Sequence, residues 1–244
     1  MSFLGQRWWL VGASEGLGRA LAQSLAAEGA EVIVSARDSD RLTDLADSLD
    51  RAQAVPVDVR DATSVQDAAA RIGRIDGLVY LAGTYWPMRA QEYDADKVVT
   101  MLDVNLLGAT RVLGAVLPAM ILADRGQIVL TGSLAGYRGL PGAIGYGASK
   151  AGIMHLAECL HADLRQTGVC VQQINPGFIR TRLTGKNSFS MPFILSPEAA
   201  AGRMLAIMRS RRPTGAFPTL FSGLFRIGRF LPQVVFDRLF ARRA

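Results

Sequence analysis

The sequence predicts an α/β protein: a doubly wound parallel sheet with helices on both faces, three layers in a single domain. Three observations carry this. Short apolar runs alternate with segments of helical periodicity along most of the chain. The runs are continuously apolar, as strands covered on both faces must be. A glycine-rich turn joins the first run to the first helical segment. At 244 residues the chain suffices for one sizeable core, and such domains reach this length undivided.

The elements follow in order. Arg7–Val11 is a first strand, and Leu17 to Ala27 a helix ended by Gly29. Glu31–Ser35 is a second strand, followed by a helix whose face is marked by Leu42, Leu45 and Leu49. Ala54–Val57 is a third strand, and Val65 to Ile72 a helix. Ile75–Leu81 is a fourth strand, then comes a long helical stretch from about Ala95 to Leu122. Gln127–Thr131 is a fifth strand, Tyr146–Arg165 a helix, and Val169–Ile174 a sixth strand. In such sheets ligands bind beyond the carboxyl ends of the strands. The glycine turn, Ala82-Gly83, Ser133 and Pro176-Gly177 all follow strand ends, so they should line one edge.

Composition narrows the class. Half the residues are hydrophobic and a fifth charged, which is globular. The two cysteines, Cys159 and Cys170, form no paired framework and read as small hydrophobes in a reducing compartment. His155 and His161 are six apart, unsuited to one helical face, so no metal site is expected. No signal peptide opens the chain, and the apolar stretch Val112 to Ala123 falls below the ~20 residues that span a bilayer. A cytoplasmic protein is expected.

The net charge of +6 is uneven. Residues 1–200 carry 18 basic and 20 acidic groups, whereas 201–244 carry nine arginines and one aspartate. The body is therefore not basic, and no nucleic-acid-binding module is visible. A boundary falls between a body of 1–218 and a basic amphipathic tail of 219–244. In the tail Phe221, Leu224 and Phe225 suit one short helix. Val235, Phe236, Leu239 and Phe240 suit another opened by Pro232. Arg226, Arg229, Arg238, Arg242 and Arg243 lie around them. The tail suits a lid over the pocket, an oligomer contact or a peripheral membrane contact.

The turn Gly12-Ala-Ser14-Glu15-Gly16-Leu17-Gly18 lets the backbone approach a pyrophosphate, which the free N–H groups and positive dipole of the next helix would hold. A residue at the end of the second strand reads the ribose 2′ position. Here Ala36 stands where an acid would select a 2′-hydroxyl, and Arg37 follows, able to pair with phosphate. NADP is expected over NAD, with Glu15 as the one feature against it.

Tyr146 and Lys150 sit four apart, one turn along a helix face, and Ser133 lies thirteen residues before the tyrosine. A free phenol has a pKa near ~10, too high for easy proton exchange at neutral pH. A neighbouring ammonium would lower it. Ser133 could hold a substrate oxygen.

With the glycine turn, the serine, the tyrosine and the lysine in this order, the chain resembles the classical short-chain dehydrogenase/reductases over roughly residues 6–210. The resemblance implies a Rossmann-like fold and hydride transfer between a nicotinamide and a carbonyl or secondary alcohol. It implies that Tyr146 is the general acid, Ser133 the oxygen holder, and Lys150 the tuner and ribose anchor. It implies that Asn105, within Asp103-Val-Asn-Leu-Leu-Gly108, positions a water in the proton relay. Asp58-Val59 resembles the family's adenine-contacting pair. Pro176-Gly177, Ile179 and Thr181 match the segment that holds the nicotinamide carboxamide. Ala82-Gly83 ends the family's Asn-Asn-Ala-Gly turn, but Tyr80 and Leu81 replace both asparagines.

Residues 182–195 stand where the family has its variable substrate cover. Leu183, Phe189, Met191 and Phe193 there suggest an apolar small-molecule substrate. A homodimer or homotetramer built on the two long helices is implied. The alternative reading is a catalytically silent dinucleotide-binding sensor or scaffold, supported by Tyr80 and Leu81.

Overall fold

The computed structural model describes residues 2–187 and 189–240; Arg242 and Arg243, expected to flank the last helix, lie outside them, and Phe240 is described in its backbone alone. Seven strands form one parallel sheet in the order β3-β2-β1-β4-β5-β6-β7. They are β1 Arg7–Val11, β2 Glu31–Ser35, β3 Ala52–Ala54, β4 Gly77–Tyr80, β5 Gly126–Thr131, β6 Val169–Pro176 and β7 Thr214–Phe217. The helices are α1 Gly16–Ala27, α2 Ser39–Asp47, α3 Ala62–Ile72, α4 Ala95–Leu102, α5 Gly108–Leu122, α6 Ile144–Leu164, α7 Pro197–Ser210, α8 Thr219–Gly228 and α9 Gln233–Phe240.

The period-two alternation of the strands makes the three layers. Trp9, Val11, Ile33 and Leu78 point to one face, where α3, α5 and α6 supply Val65, Val112 and Ile153. Trp8, Leu10, Val32 and Val79 point to the other, where α1, α2 and α7 supply Leu21, Leu42 and Met204. Both tryptophans are fully buried, and their indole N–H groups donate to Gln6 Oε1 and Ser35 Oγ.

Three expectations are corrected. The third strand ends at Ala54, although Val55 and Val57 beyond it are buried. Their N–H groups bond singly to Val34 and Ala36 without continuing the ladder, so the apolar alternation marks burial and not pairing. A seventh strand follows α7, whose start is set by Ser196 accepting from the Ala199 N–H, with Pro197 in the first turn.

The long helical stretch has the expected bounds, Ala95 to Leu122, and the third correction concerns its length against a membrane. The stretch is α4, a wider turn over Asp103–Leu107 and α5 in sequence. By length and composition this 28-residue stretch is long and apolar enough to cross a membrane, unlike the shorter window read above. Here Met101, Val112, Leu113 and Val116 are buried within the protein.

Candidate active site

The carboxyl ends of β1, β4, β5 and β6 bring the expected residues together at one edge of the sheet. Gly12 turns at φ +98°, and a Cβ there would collide with the Ala82 backbone. The first glycine thus serves the close approach of two strand ends. Gly16, at φ +55°, lies against the Thr181 methyl, so the glycine turn and the segment after β6 are neighbours. Leu17 packs into the core beneath the turn, and Ser14 and Glu15 stay partly exposed above it.

A cleft of about 350 Å³ opens here, lined by Glu15, Arg37, Arg60, Gly83, Trp86 and Lys186 among others. Arg182 and Leu183 complete its far wall. Glu15 is its one acidic residue, and that carboxylate is held between Arg41 at 2.8 Å and Arg182 at 2.9 Å. The Glu15 charge is thereby offset by two arginines. The glycine cradle, the adjoining helix N-terminus and four lining cations fit a pyrophosphate-bearing dinucleotide.

Asp58 accepts from the Arg60 N–H at 3.0 Å, closing a local turn after the third strand region. The Val59 side chain is core, and its carbonyl accepts from Arg111. Ile179 is likewise buried, bridged to Leu195 across the base of the substrate segment. Pro176 ends β6 on its pairing with Phe217, and Gly177 continues that contact by donating to the Phe217 carbonyl.

Tyr146 and Lys150 share one face of α6. Ser133 lies just past β5, near enough to act on the ionisation of the Tyr146 phenol, and its Oγ accepts from the Ala135 N–H at 3.2 Å. Lys150 is 4% exposed, its ammonium donates to the Thr131 carbonyl at 2.8 Å, and it lies 5.8 Å from the Tyr146 ring centre. Burial pushes Tyr146 above its ordinary pKa, and Ser133 opposes this in part. Burial lowers Lys150 to about 8. The expected lowering of the phenol by the ammonium is not among the causes that shift Tyr146, and burial dominates both groups.

Asn105 sits in the wide turn between α4 and α5, fully buried. Its Oδ1 accepts from the Thr84 N–H at 2.7 Å, and its Nδ2 donates to the Thr84 carbonyl and to Ser149 Oγ. The side chain therefore braces the segment after Gly83 against α6, and both amide donors are engaged within the protein.

The replaced asparagines have a structural counterpart. Tyr80 is buried at the end of β4, and its hydroxyl donates to the Val104 carbonyl at 2.5 Å, inside the same wide turn. Gly108 makes the room: a Cβ there would stand 2.5 Å from the Tyr80 hydroxyl. Leu81 N–H still bonds to the Val11 carbonyl, so the sheet contact persists.

Residues missed from sequence gather beside Tyr146 and the cleft. The Tyr85 ring meets Tyr146 edge-on at 4.9 Å, and its hydroxyl donates to Asn187 Oδ1. Lys186 donates to the Tyr85 carbonyl and lies over the Trp86 ring at 4.7 Å. These contacts span about a hundred residues of chain, beyond any local spacing signal. Of the expected apolar cover, Leu183 lines the cleft, but Phe189 and Phe193 stay largely exposed.

Comparison with known proteins agrees with this geometry. Residues 8–190 match the family model described as short chain dehydrogenase. A relative from Myxococcus xanthus, named only as an oxidoreductase, is 38% identical over 240 residues, 93% of either chain. A short-chain dehydrogenase from Streptomyces avermitilis superposes with a TM-score of 0.84 at 28% identity, covering 98% of this chain and 96% of its own. A serine dehydrogenase solved with NADP+ gives a TM-score of 0.79 at 26% identity over 86% and 94% of the two chains. The sheet order, the glycine cradle and the Ser133–Tyr146–Lys150 arrangement are thus those of an NAD(P)-dependent oxidoreductase, and the chain belongs to the classical short-chain dehydrogenase/reductase family.

Proposed function

We propose that the protein is an NADP-dependent oxidoreductase acting on a carbonyl or secondary alcohol of an apolar small molecule. The observation that carries this is the meeting of two things at one sheet edge. Ser133 and Tyr146 are neighbours beside the buried Lys150, and the adjoining cleft carries Arg37 with no acid at Ala36.

A bound dinucleotide would supply or accept the hydride at its nicotinamide. In the reducing direction Ser133 Oγ holds the substrate oxygen, and Tyr146 Oη gives that oxygen its proton. The phenol regains the proton from solvent. Burial raises the phenol pKa and so keeps Tyr146 in its protonated form at neutral pH, the form that reduction requires. The NADP+ complex of the similar serine dehydrogenase supports the choice of cofactor.

The family is oligomeric, and we read this chain as a homodimer or homotetramer. Val99, Leu107, Ile121 and Leu122, exposed along α4, α5 and the turn between them, suit the subunit contact. Two unpaired cysteines, one of them exposed, support a cytoplasmic setting, with the tail free to make a peripheral membrane contact.

Titration with NADPH and NADH tests the reading. NADPH should bind more tightly, and Arg37→Ala should weaken NADPH about tenfold while leaving NADH little changed. Tyr146→Phe should bind NADPH normally yet lose roughly 100-fold or more in turnover across a carbonyl panel. A preference for NADH would overturn the role of Arg37, and unchanged turnover would overturn that of Tyr146.

A further inference from the structure

The C-terminal tail has two apolar faces, and the body uses one. On α8 the Phe225 side turns inward, while Leu220, Leu224 and Ile227 recur at i, i+4 and i+7 on the outside. Leu220 is 89% exposed. Phe230 follows at 79% exposure, and α9 adds Val234, Val235 and Leu239 outward while Phe236 is buried. A surface helix ordinarily sets polar residues on its outer face, so an apolar stripe there marks a contact surface. Arg226, Arg229 and Arg238 are exposed among these residues, and Asp237 is the one acid in residues 219–244.

We propose that this face seats the protein on an anionic lipid surface. Charge decides among occupants. A second copy docking through the same patch would set these arginines against their own equivalents, with a single aspartate per tail to offset them. Anionic headgroups complement the arginines, while the acyl boundary accepts the leucines and Phe230. Helices of 10 and 8 residues are too short to span a bilayer, so they lie in the interface.

The tail is also tied to the substrate side. Phe221 of α8 touches Phe178 at 5.9 Å, Phe193 at 5.7 Å and Phe225 at 5.1 Å, and Phe178 touches Phe189 at 5.9 Å. Phe178 follows the Pro176-Gly177 segment, and Phe189 and Phe193 belong to the substrate cover. A continuous run of rings therefore joins the tail helices to the segment after β6 and to the expected substrate cover. Resting on the oxidoreductase reading, the substrate class becomes an amphiphile whose apolar chain follows that run and whose carbonyl reaches Tyr146.

The test is flotation of the full chain with vesicles of phosphatidylcholine alone and of phosphatidylcholine mixed with phosphatidylglycerol, at low and high salt. The expected result is binding to the mixed vesicles at low salt, little to phosphatidylcholine, and release by salt. Each of Arg226→Gln, Arg229→Gln and Arg238→Gln should weaken partitioning roughly fivefold. Leu220→Ser combined with Ile227→Ser should weaken it further, with melting temperature and turnover of a small soluble carbonyl unchanged. Absence of flotation at low salt overturns the proposal, as does equal binding to both vesicle types. A serine variant that only shrinks the assembly in solution also overturns it, assigning the face to a second copy. Flotation needs no turnover, so failure here leaves the oxidoreductase reading standing. A protein that floats but reduces nothing would count against that reading alone.

Discussion

Lys150 shows how one residue couples chemistry to stability. Its ammonium is buried with the Thr131 carbonyl as hydrogen-bond partner, and its pKa is lowered to about 8 from the ordinary 10.5. Below pH 8 both folded and unfolded chains hold this proton, and the folded state bears the whole desolvation cost. Between about 8 and 10.5 the folded chain releases the proton while the unfolded chain keeps it, so this group adds stability as pH rises. Thermal melts of wild type and Lys150→Met should therefore diverge in favour of wild type across that window. A difference that is flat with pH would refute the assignment. Tyr80 illustrates the opposite lesson. In sequence it reads as the loss of an asparagine, yet with Gly108 it supplies a donor to the wide turn that carries Asn105. That compensation lies 24 residues away and leaves no local trace in the sequence.

At the scale of elements, the end of α7 depends on two glutamines. Gln172, buried on β6, donates to the carbonyls of Ile207 and Arg212 and accepts from Gln127 on β5, which also donates to the Met208 carbonyl. The last carbonyls of a helix have no partner within it, and here the sheet provides them. Gln172→Leu would strand these groups in the core and should cost about 3 kcal/mol, read by urea unfolding. For a domain of this size that is roughly a 10 °C fall in Tm. Most elements were legible because burial on both faces leaves continuous apolar runs, as in Leu78 and Val79 of β4. The turn at Asp103–Leu107 was not, since one extra residue per turn shifts the phase of a helix without interrupting its apolar character. β7 was missed because Phe217 is the one large apolar residue in Thr214-Gly-Ala-Phe217. The grouping of Ser133, Tyr146 and Lys150 was legible from spacing along a single helix and the strand before it. Tyr85, Arg182 and Lys186 were not, because only the folded sheet edge brings them to Tyr146 and the cleft.

At the scale of the whole molecule, Arg138 joins the tail to the loop between Ser133 and Tyr146. It donates to the carbonyls of Gly228 and Leu231 and to Gln233 Oε1, and it lies over the Phe236 ring at 4.4 Å. Arg138→Ala removes all four contacts, each a loss of order 1 kcal/mol where the partner stays buried. The expected outcome is protease cleavage within 219–240 well before the body is cut, with kcat lowered several-fold through the loosened Ser133 loop. A tail that stays resistant would show that packing of Phe225 and Phe236 holds it unaided. The same architecture distributes the three tryptophans unequally. Trp8 and Trp9 are sealed on opposite faces of the sheet, while Trp86 lines the cleft beneath Lys186. Iodide, drawn by the cleft's cations, should quench the emission of Trp86 and spare the other two. Filling the cleft should abolish that quenching, so the protein carries an optical gauge of its own occupancy, and Trp86→Phe should erase it.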